Sequence, residues 1–267
     1  MRLKSKRTIY GLALETCLLT NIPYRPLPNT TLNEFFNRQV SDETNENFSI
    51  KYFMLGMAVN GIEDLELYKE IHIPEHANVY KPIPLIVRPF FNKLTKEEAS
   101  KYRMQVNKNI DGIDYIFYFL KELTDLNKPA ELLSLSFKKE GFKEIDIKNF
   151  NNNKAGILNP SLDDIANSSE DIFHTVTKTV TVLVNKDEKH ELLDATKLYY
   201  DLQDTEGIKI SEIALVHGRD IKTNVNVEVK DAQVSFFLNT TDLLEIYSDL
   251  EPIDLTVNLG GLEMMKG

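Results

Sequence analysis

Three prolines, Pro82, Pro84 and Pro89, punctuate the segment KPIPLIVRPF and deny it a helix. Each ring locks φ, removes an amide donor and drives the preceding residue towards extended backbone. The segment therefore reads as an extended arm with a short apolar strand, Leu85-Ile86-Val87, better placed at a sheet edge than at its centre. Directly after it, Thr95 stands where an N-cap belongs. Glu98 completes a capping box, and Glu97 and Glu98 put negative charge in the first turn. Apolar positions recur at Ala99, Tyr102, Val106 and Ile110, then at Ile113, Ile116, Phe117, Leu120 and Leu123, a helical spacing. Asp111-Gly112 interrupts it, and glycine costs about 1 kcal/mol in a helix interior. The expectation is a kinked helix, or two abutting ones, over 95–126, buried on most sides because it is apolar on most sides.

Around this spine the chain divides into three stretches. Residues 1–48 carry a proline-rich connector, NIPYRPLPNTT, and a polar run, QVSDETNENFS. They read as an extended N-terminal arm, ordered by lying across something else. Residues 49–150 form an α+β lobe, with SIKYFMLGMAVN as a strand and Asn60-Gly61 as a hairpin signal. Residues 151–267 read as a β-rich lobe with one or two helices. FHTVTKTVTVLV alternates as a half-buried strand, 188–202 is a helix candidate, and IKISEIALV is a strand ending at His217-Gly218. Lys230-Asp231-Ala232 reads as a turn between two short strands, and Thr241-Asp242 as the cap of a short helix. Ile253–Leu259 is a last strand whose edge can add to another chain's sheet. The fold class expected is α+β: mostly antiparallel β segments around a long central helix pair.

The composition is that of a folded chain, 42% hydrophobic and 27% charged, with a formal net charge of −10 that disfavours a general nucleic-acid role. One cysteine, Cys17, excludes an intrachain disulfide and a thiolate metal cage. No apolar run reaches the roughly 20 residues of a membrane helix, and no signal peptide is expected. His72-Ile73-Pro74-Glu75-His76 has the letters of the inverted zinc-protease motif, whose chemistry needs both histidines on one helical face. Pro74 removes that helix, so the motif reads as loop residues. His174, His190 and His217 stand singly, and the acidic pairs 63–64, 163–164, 170–171 and 187–188 read as solvated caps. Neither P-loop, G-x-S-x-G nor G-x-G-x-x-G occurs. Catalytic residues, metal ligands and cofactors are expected to be none.

Two segments carry a resemblance. EEASKYRMQV…GIDYIFYFLKEL after the proline arm, and ISEIALVHGRD after a β segment, are similar to tailed-bacteriophage virion structural proteins. The matching positions are Pro82, Pro84, Glu98, Tyr102, Arg103, Gly112, Tyr115, Tyr118, Ile210 to Leu215, Gly218 and Asp220, about a third of the chain. The resemblance implies a neck, tail or baseplate component present in several copies. It implies a homo-oligomeric ring with other virion proteins as partners, no membrane and no specific nucleic acid. The expected interface residues are Pro82, Pro84, Pro89, Tyr102, Arg103, Tyr115 and Tyr118, with Leu255 and Val257 on the last strand. The alternatives from other classes are a particle-associated hydrolase acting on carbohydrate or peptide, and a monomeric binding module.

Overall fold

The computed structural model describes residues 3–40, 47–57, 72–137, 145–149, 172–203, 208–222, 227–245, 252–260 and 265–266. The described chain opens with β1 (Leu3–Arg7), α1 (Ile9–Thr20), α2 (Leu32–Phe35) and β2 (Ser49–Gly56). It continues through β3 (Pro82–Ile83), β4 (Ile86–Pro89), α3 (Lys96–Ala99), β5 (Tyr102–Ile110) and β6 (Ile113–Glu122). Then come β7 (Glu131–Phe137), β8 (Ile145–Asn149), β9 (Ile172–Val184) and α4 (Lys186–Tyr200). The last elements are β10 (Lys209–Lys222), β11 (Val227–Glu245), β12 (Ile253–Gly260) and β13 (Met265–Lys266).

The long central helix pair does not exist. The capping box at Thr95–Glu98 is present, with Thr95 Oγ1 accepting from the Glu98 amide, but it starts a helix of only four residues. From Tyr102 onward the chain is the antiparallel hairpin β5–β6, closed by Ile110 opposite Ile113. Asp111 and Gly112 both take positive φ, 53° and 81°, the backbone of a two-residue primed turn whose twist matches the strands. Asp-Gly is the preferred dipeptide for that turn, so what read as a break in a helix is the hairpin signal itself. The spine is a sheet, and the fold is mostly antiparallel β.

Two compact units result, one of Met1–Leu123 with Leu183–Asp254, the other of Thr124–Val182 with Leu255–Gly267. In the first, the strand order is β1-β11-β10-β2-β6-β4, with β3 on β2 and β5 on β6. The second holds the order β12-β9-β7-β8, with β13 on β9. In β2, Tyr52 to Leu55 are buried without a gap, as are Ile213 to Val216 in β10. Both strands thus bury both faces, which is why they read as continuous apolar runs rather than alternating ones. Tyr52, Met54, Phe117, Phe119, Ala214, Val216, Val234 and Phe237 form the core of this unit.

Residues 3–40, expected to form an arm apart from the rest, belong to the first unit. β1 pairs with β11 from Leu3–Thr240 to Arg7–Phe236, and Leu32 of α2 is completely buried. Thr8 caps α1 and also donates its hydroxyl to the Val234 carbonyl at 2.6 Å, fixing the helix to β11. β4 ends the strand order, in keeping with its Pro89 and with Pro84 just before it. The turn expected at 230–232 is a bulge instead: Asp231 takes φ 55° within an unbroken β11, which also runs through the helix expected after Thr241. Aspartate adopts the left-handed region more readily than most residues, so the same letters serve turn and bulge alike. The hairpin signal at Asn60-Gly61 and most of the boundary expected at 149–160 lie outside the described residues.

Two glycine substitutions separate backbone strain from packing. A Cβ on Gly112 meets nothing within 4 Å, so Gly112→Ala carries only the left-handed penalty, about 1 kcal/mol. A Cβ on Gly11 would stand 2.5 Å from the Ser235 carbonyl oxygen, so Gly11→Ala forces α1 off β11 at a cost of about 1–3 kcal/mol. Urea denaturation of the two variants is expected to rank them in that order.

Candidate functional site

The polar chemistry of the first unit is gathered in its interior. Arg103 on β5 lies almost wholly buried, with Nε donating to Asp220 Oδ1 on β10 at 3.0 Å. Its Nη1 donates to the carbonyls of Ser100 at 2.6 Å and Tyr102 at 3.0 Å. Tyr52 on β2 donates its hydroxyl to the same Asp220 oxygen, and Lys51 approaches the other at 3.5 Å. Burial alone would raise the Asp220 carboxyl, but hydrogen bonding and charge from Arg103, then Tyr52 and Lys51, hold it below its ordinary value. Burial and the adjacent carboxylate push the Tyr52 phenol up, keeping it a neutral donor. Nearby, burial raises the carboxyls of Glu122 and Glu228.

A second group joins the sheet to α4. The box formed by Asn185 and Glu188 starts the helix, and Lys121 of β6 reaches the two Glu188 oxygens at 2.7 and 2.6 Å. Tyr102 donates to Glu188 at 3.1 Å, while Arg88 of β4 donates to Glu191 at 2.5 Å. Desolvation outweighs Glu188 at the ammonium and lowers Lys121. At the carboxylate, the bonds from Lys121 and Asn185 outweigh desolvation and lower Glu188. The first group fastens strands to one another, and the second fastens them to α4.

The H-x-x-E-H letters resolve differently. His72 Nε2 lies 2.8 Å from Glu212 Oε2 on β10, with both side chains fully buried. His72 also stacks on Phe237 at 3.6 Å, and its Nδ1 faces His76 Nδ1 at 3.0 Å. The intervening Glu75 offers only its backbone carbonyl, to Tyr10 at 2.7 Å. Facing nitrogens with ring centroids 5.2 Å apart meet nearly head-on, which is hydrogen-bond geometry rather than convergence on a shared ion. Among the described residues no group of three or more His, Cys, Asp or Glu side chains is arranged to hold a metal. His217 is buried, with Nδ1 2.6 Å from the Ser235 hydroxyl, and burial pushes it down to about 4. His190 is exposed on α4.

The surface feature that stands out is α1. Its buried side is narrow: Tyr10, Gly11 and Leu14. The 100° step of a helix puts Ile9, Leu12, Ala13, Thr16, Leu19 and Thr20 on the opposite side, all exposed, with Leu12 at 51% and Leu19 at 81%. That face bears no charged residue. Its two hydroxyls are turned back onto the helix, Thr16 to the Leu12 carbonyl and Thr20 to the Thr16 carbonyl. Leu18, Ile22 and Leu27 extend the exposed apolar surface through the helix end into the following connector. A second patch, Phe90 and Phe91 with Ile113, lies at the end of β4 and the β5–β6 turn.

The residues expected at an interface fall into two groups. Pro82, Pro84, Tyr102, Arg103 and Tyr118 are buried within the first unit, Tyr102 and Arg103 in the networks above. Pro89 and Tyr115 are half-buried on β4 and β6, as are Leu255 and Val257 on β12, at one end of the second unit's strand order. The expectation missed α1, although LALETCLLT carries its signal: leucines on every side, with Glu15 the one charge.

A family model described as "Family of unknown function (DUF7208)" matches residues 2–267. The chain belongs to this family. No curated protein and no solved structure matches it. Among the described residues no helix is long and apolar enough to cross a membrane, which says nothing of strands.

Removing Asp220 strands a buried guanidinium, so Asp220→Asn is expected to cost about 3–5 kcal/mol near neutral pH. Because the folded protein holds the Asp220 carboxyl below its ordinary 3.8, its contribution is complete above that value and is lost as pH falls from there through the depressed folded value. Denaturation curves of the parent and variant, followed downward in pH, should therefore approach one another only in the acid range.

Proposed function

We propose that this chain is a structural subunit of a tailed-phage virion, an oligomeric adaptor of the neck, tail or baseplate that docks on neighbouring subunits. The observation that carries the assembly part of this reading is the uncharged outer face of α1. A helix apolar on all sides belongs in an interior, and the fold itself buries only the Tyr10–Leu14 stripe. An exposed apolar surface of this kind marks an interaction site. The phage part rests on the resemblance carried by the proline arm, the Gly112–Tyr118 segment and the ISEIALVHGRD segment. The buried ionic networks fit a subunit that must keep its shape under load, since their bonds join strands. The half-buried Leu255 and Val257 on terminal β12 offer a further edge for a neighbour.

The test is the association state of the full chain in solution, with and without charge on that face. Leu12→Glu combined with Leu19→Glu changes only exposed positions, so folding should survive. Light scattering after size exclusion is expected to give an oligomer for the parent and a monomer, with unchanged circular dichroism, for the variant. A parent that stays monomeric up to about 100 μM, well above the dissociation constants of specific complexes, would refute self-assembly. Mass spectrometry of purified particles carrying this chain tests the virion assignment separately.

A further inference from the structure

We propose that the His72–His76 contact is a proton-conditional lock on the first turn of α1, closed at neutral pH and opened by acid. The two Nδ1 atoms lie 3.0 Å apart, nearly head-on, in rings inclined at 84°. Such a contact holds only while one nitrogen carries a hydrogen and the other a lone pair. The outer end of the chain is fixed: Glu212 accepts from His72 Nε2, and Phe237 holds the ring flat. A single proton therefore lies between the rings. With that proton on His72 Nδ1, a second one taken up at His76 Nδ1 points two N–H groups at each other.

The lock reaches α1 through the turn that His76 closes. The His76 amide donates to the Ile73 carbonyl at 3.1 Å. Within that turn the Pro74 carbonyl accepts from the Ile9 amide at 2.9 Å, and the Glu75 carbonyl accepts from the Tyr10 hydroxyl at 2.7 Å. Expelling the His76 ring moves both carbonyls, and with them two of the bonds that hold the start of α1.

Among the described residues the groups facing the pair are few. Glu212 comes from β10, Tyr10 from α1, and Glu75 and Tyr80 from the same segment; Phe237 of β11 does not titrate. Glu212, whose second oxygen has no partner, also accepts from the Tyr80 amide at 3.1 Å. Burial, then the neighbouring His72, lowers His76 from its ordinary 6.5, against weaker opposing effects of Glu75 and Glu212. The sign follows: the folded chain favours neutral His76, so its contribution is full above 6.5 and is lost as pH falls below that value. Among the described residues His217, on β10 and bonded to Ser235, is the competing acid-titrating imidazole behind the same helix.

Hydrogen exchange of the full untagged chain at about pH 7.5 and about pH 5.5 tests this, compared as protection factors so that intrinsic rates divide out. The amides of Ile9 to Leu14 are expected to lose about tenfold protection in acid, the factor that one lost hydrogen bond corresponds to. His76→Gln replaces a half-buried ring with an amide that does not titrate, and should abolish most of that difference while retaining the neutral circular dichroism. Equal protection of the parent at the two pH values overturns the proposal. So does an undiminished acid loss in His76→Gln, which would assign the response to His217. That the lock also controls docking rests on the assembly reading. An oligomer unchanged in acid, alongside a released α1, would refute docking through α1 and leave the lock standing.

Discussion

The Arg103–Asp220 pair joins strands that the backbone barely joins. β5 pairs only with β6 along its described length, while β6 meets β2 over a short ladder, Tyr52–Glu122 and Phe53–Lys121, continued by the Leu123 amide on the Lys51 carbonyl at 2.8 Å. The β4–β6–β5 group would thus hang on the β2–β10–β11 group by a few backbone bonds. Arg103 closes the gap by reaching from β5 to Asp220 on β10, with Tyr52 of β2 on the same carboxylate. A buried ion pair is weak evidence of net stability, because desolvation offsets much of the attraction. Its value here is in register. A one-residue slip of β5 would turn Arg103 to the opposite face and strand Asp220. Lys121, paired with Tyr102 next to Arg103, then sets α4 against the same end of these strands through Glu188.

The misread spine shows what the pattern could and could not carry. Tyr102, Val106 and Ile110 are four apart, a spacing that fits a helix and also fits one face of a strand, since four is a multiple of two. Met104 should have arbitrated. It lies halfway between Tyr102 and Val106, and it is buried. The run Ile116 to Leu120 carried no period at all because each of its residues is buried. The capping box at Thr95 was legible and correct, but a cap starts a helix without saying how long it runs. Strands 49–56, 172–184 and 253–260 and the helix at 186–200 lie close to where their apolar patterns put them, whereas β10 runs through the expected stop at His217-Gly218 to Lys222.

The candidate sites were less legible, for a different reason. Pro74 rightly excluded a helix there, yet His72 and His76 are not idle loop residues. The turn that the proline permits brings their rings together. What fixes them is Glu212, 140 residues away, and local spacing contains no trace of it. The α1 surface had the opposite problem. Its letters were plain, but an all-round apolar helix looks the same in sequence whether the fold covers it or leaves it open.

That α1 is held by its own chain changes the energetics of any association it makes. An arm ordered only on contact loses about 1–2 kcal/mol of backbone entropy per residue at that moment. In α1 this loss is already met within the folded chain: Thr8 anchors the helix to β11, and the carbonyls of Pro74 and Glu75 hold its first turn. A partner meeting this face has only side chains to order, so more of the buried apolar area is left to drive binding. The same pinning keeps an uncharged surface from unravelling into a longer apolar segment. An exposed apolar helix is a hazard in a free subunit, and a rigid one is the form in which the hazard is smallest and the docking gain largest.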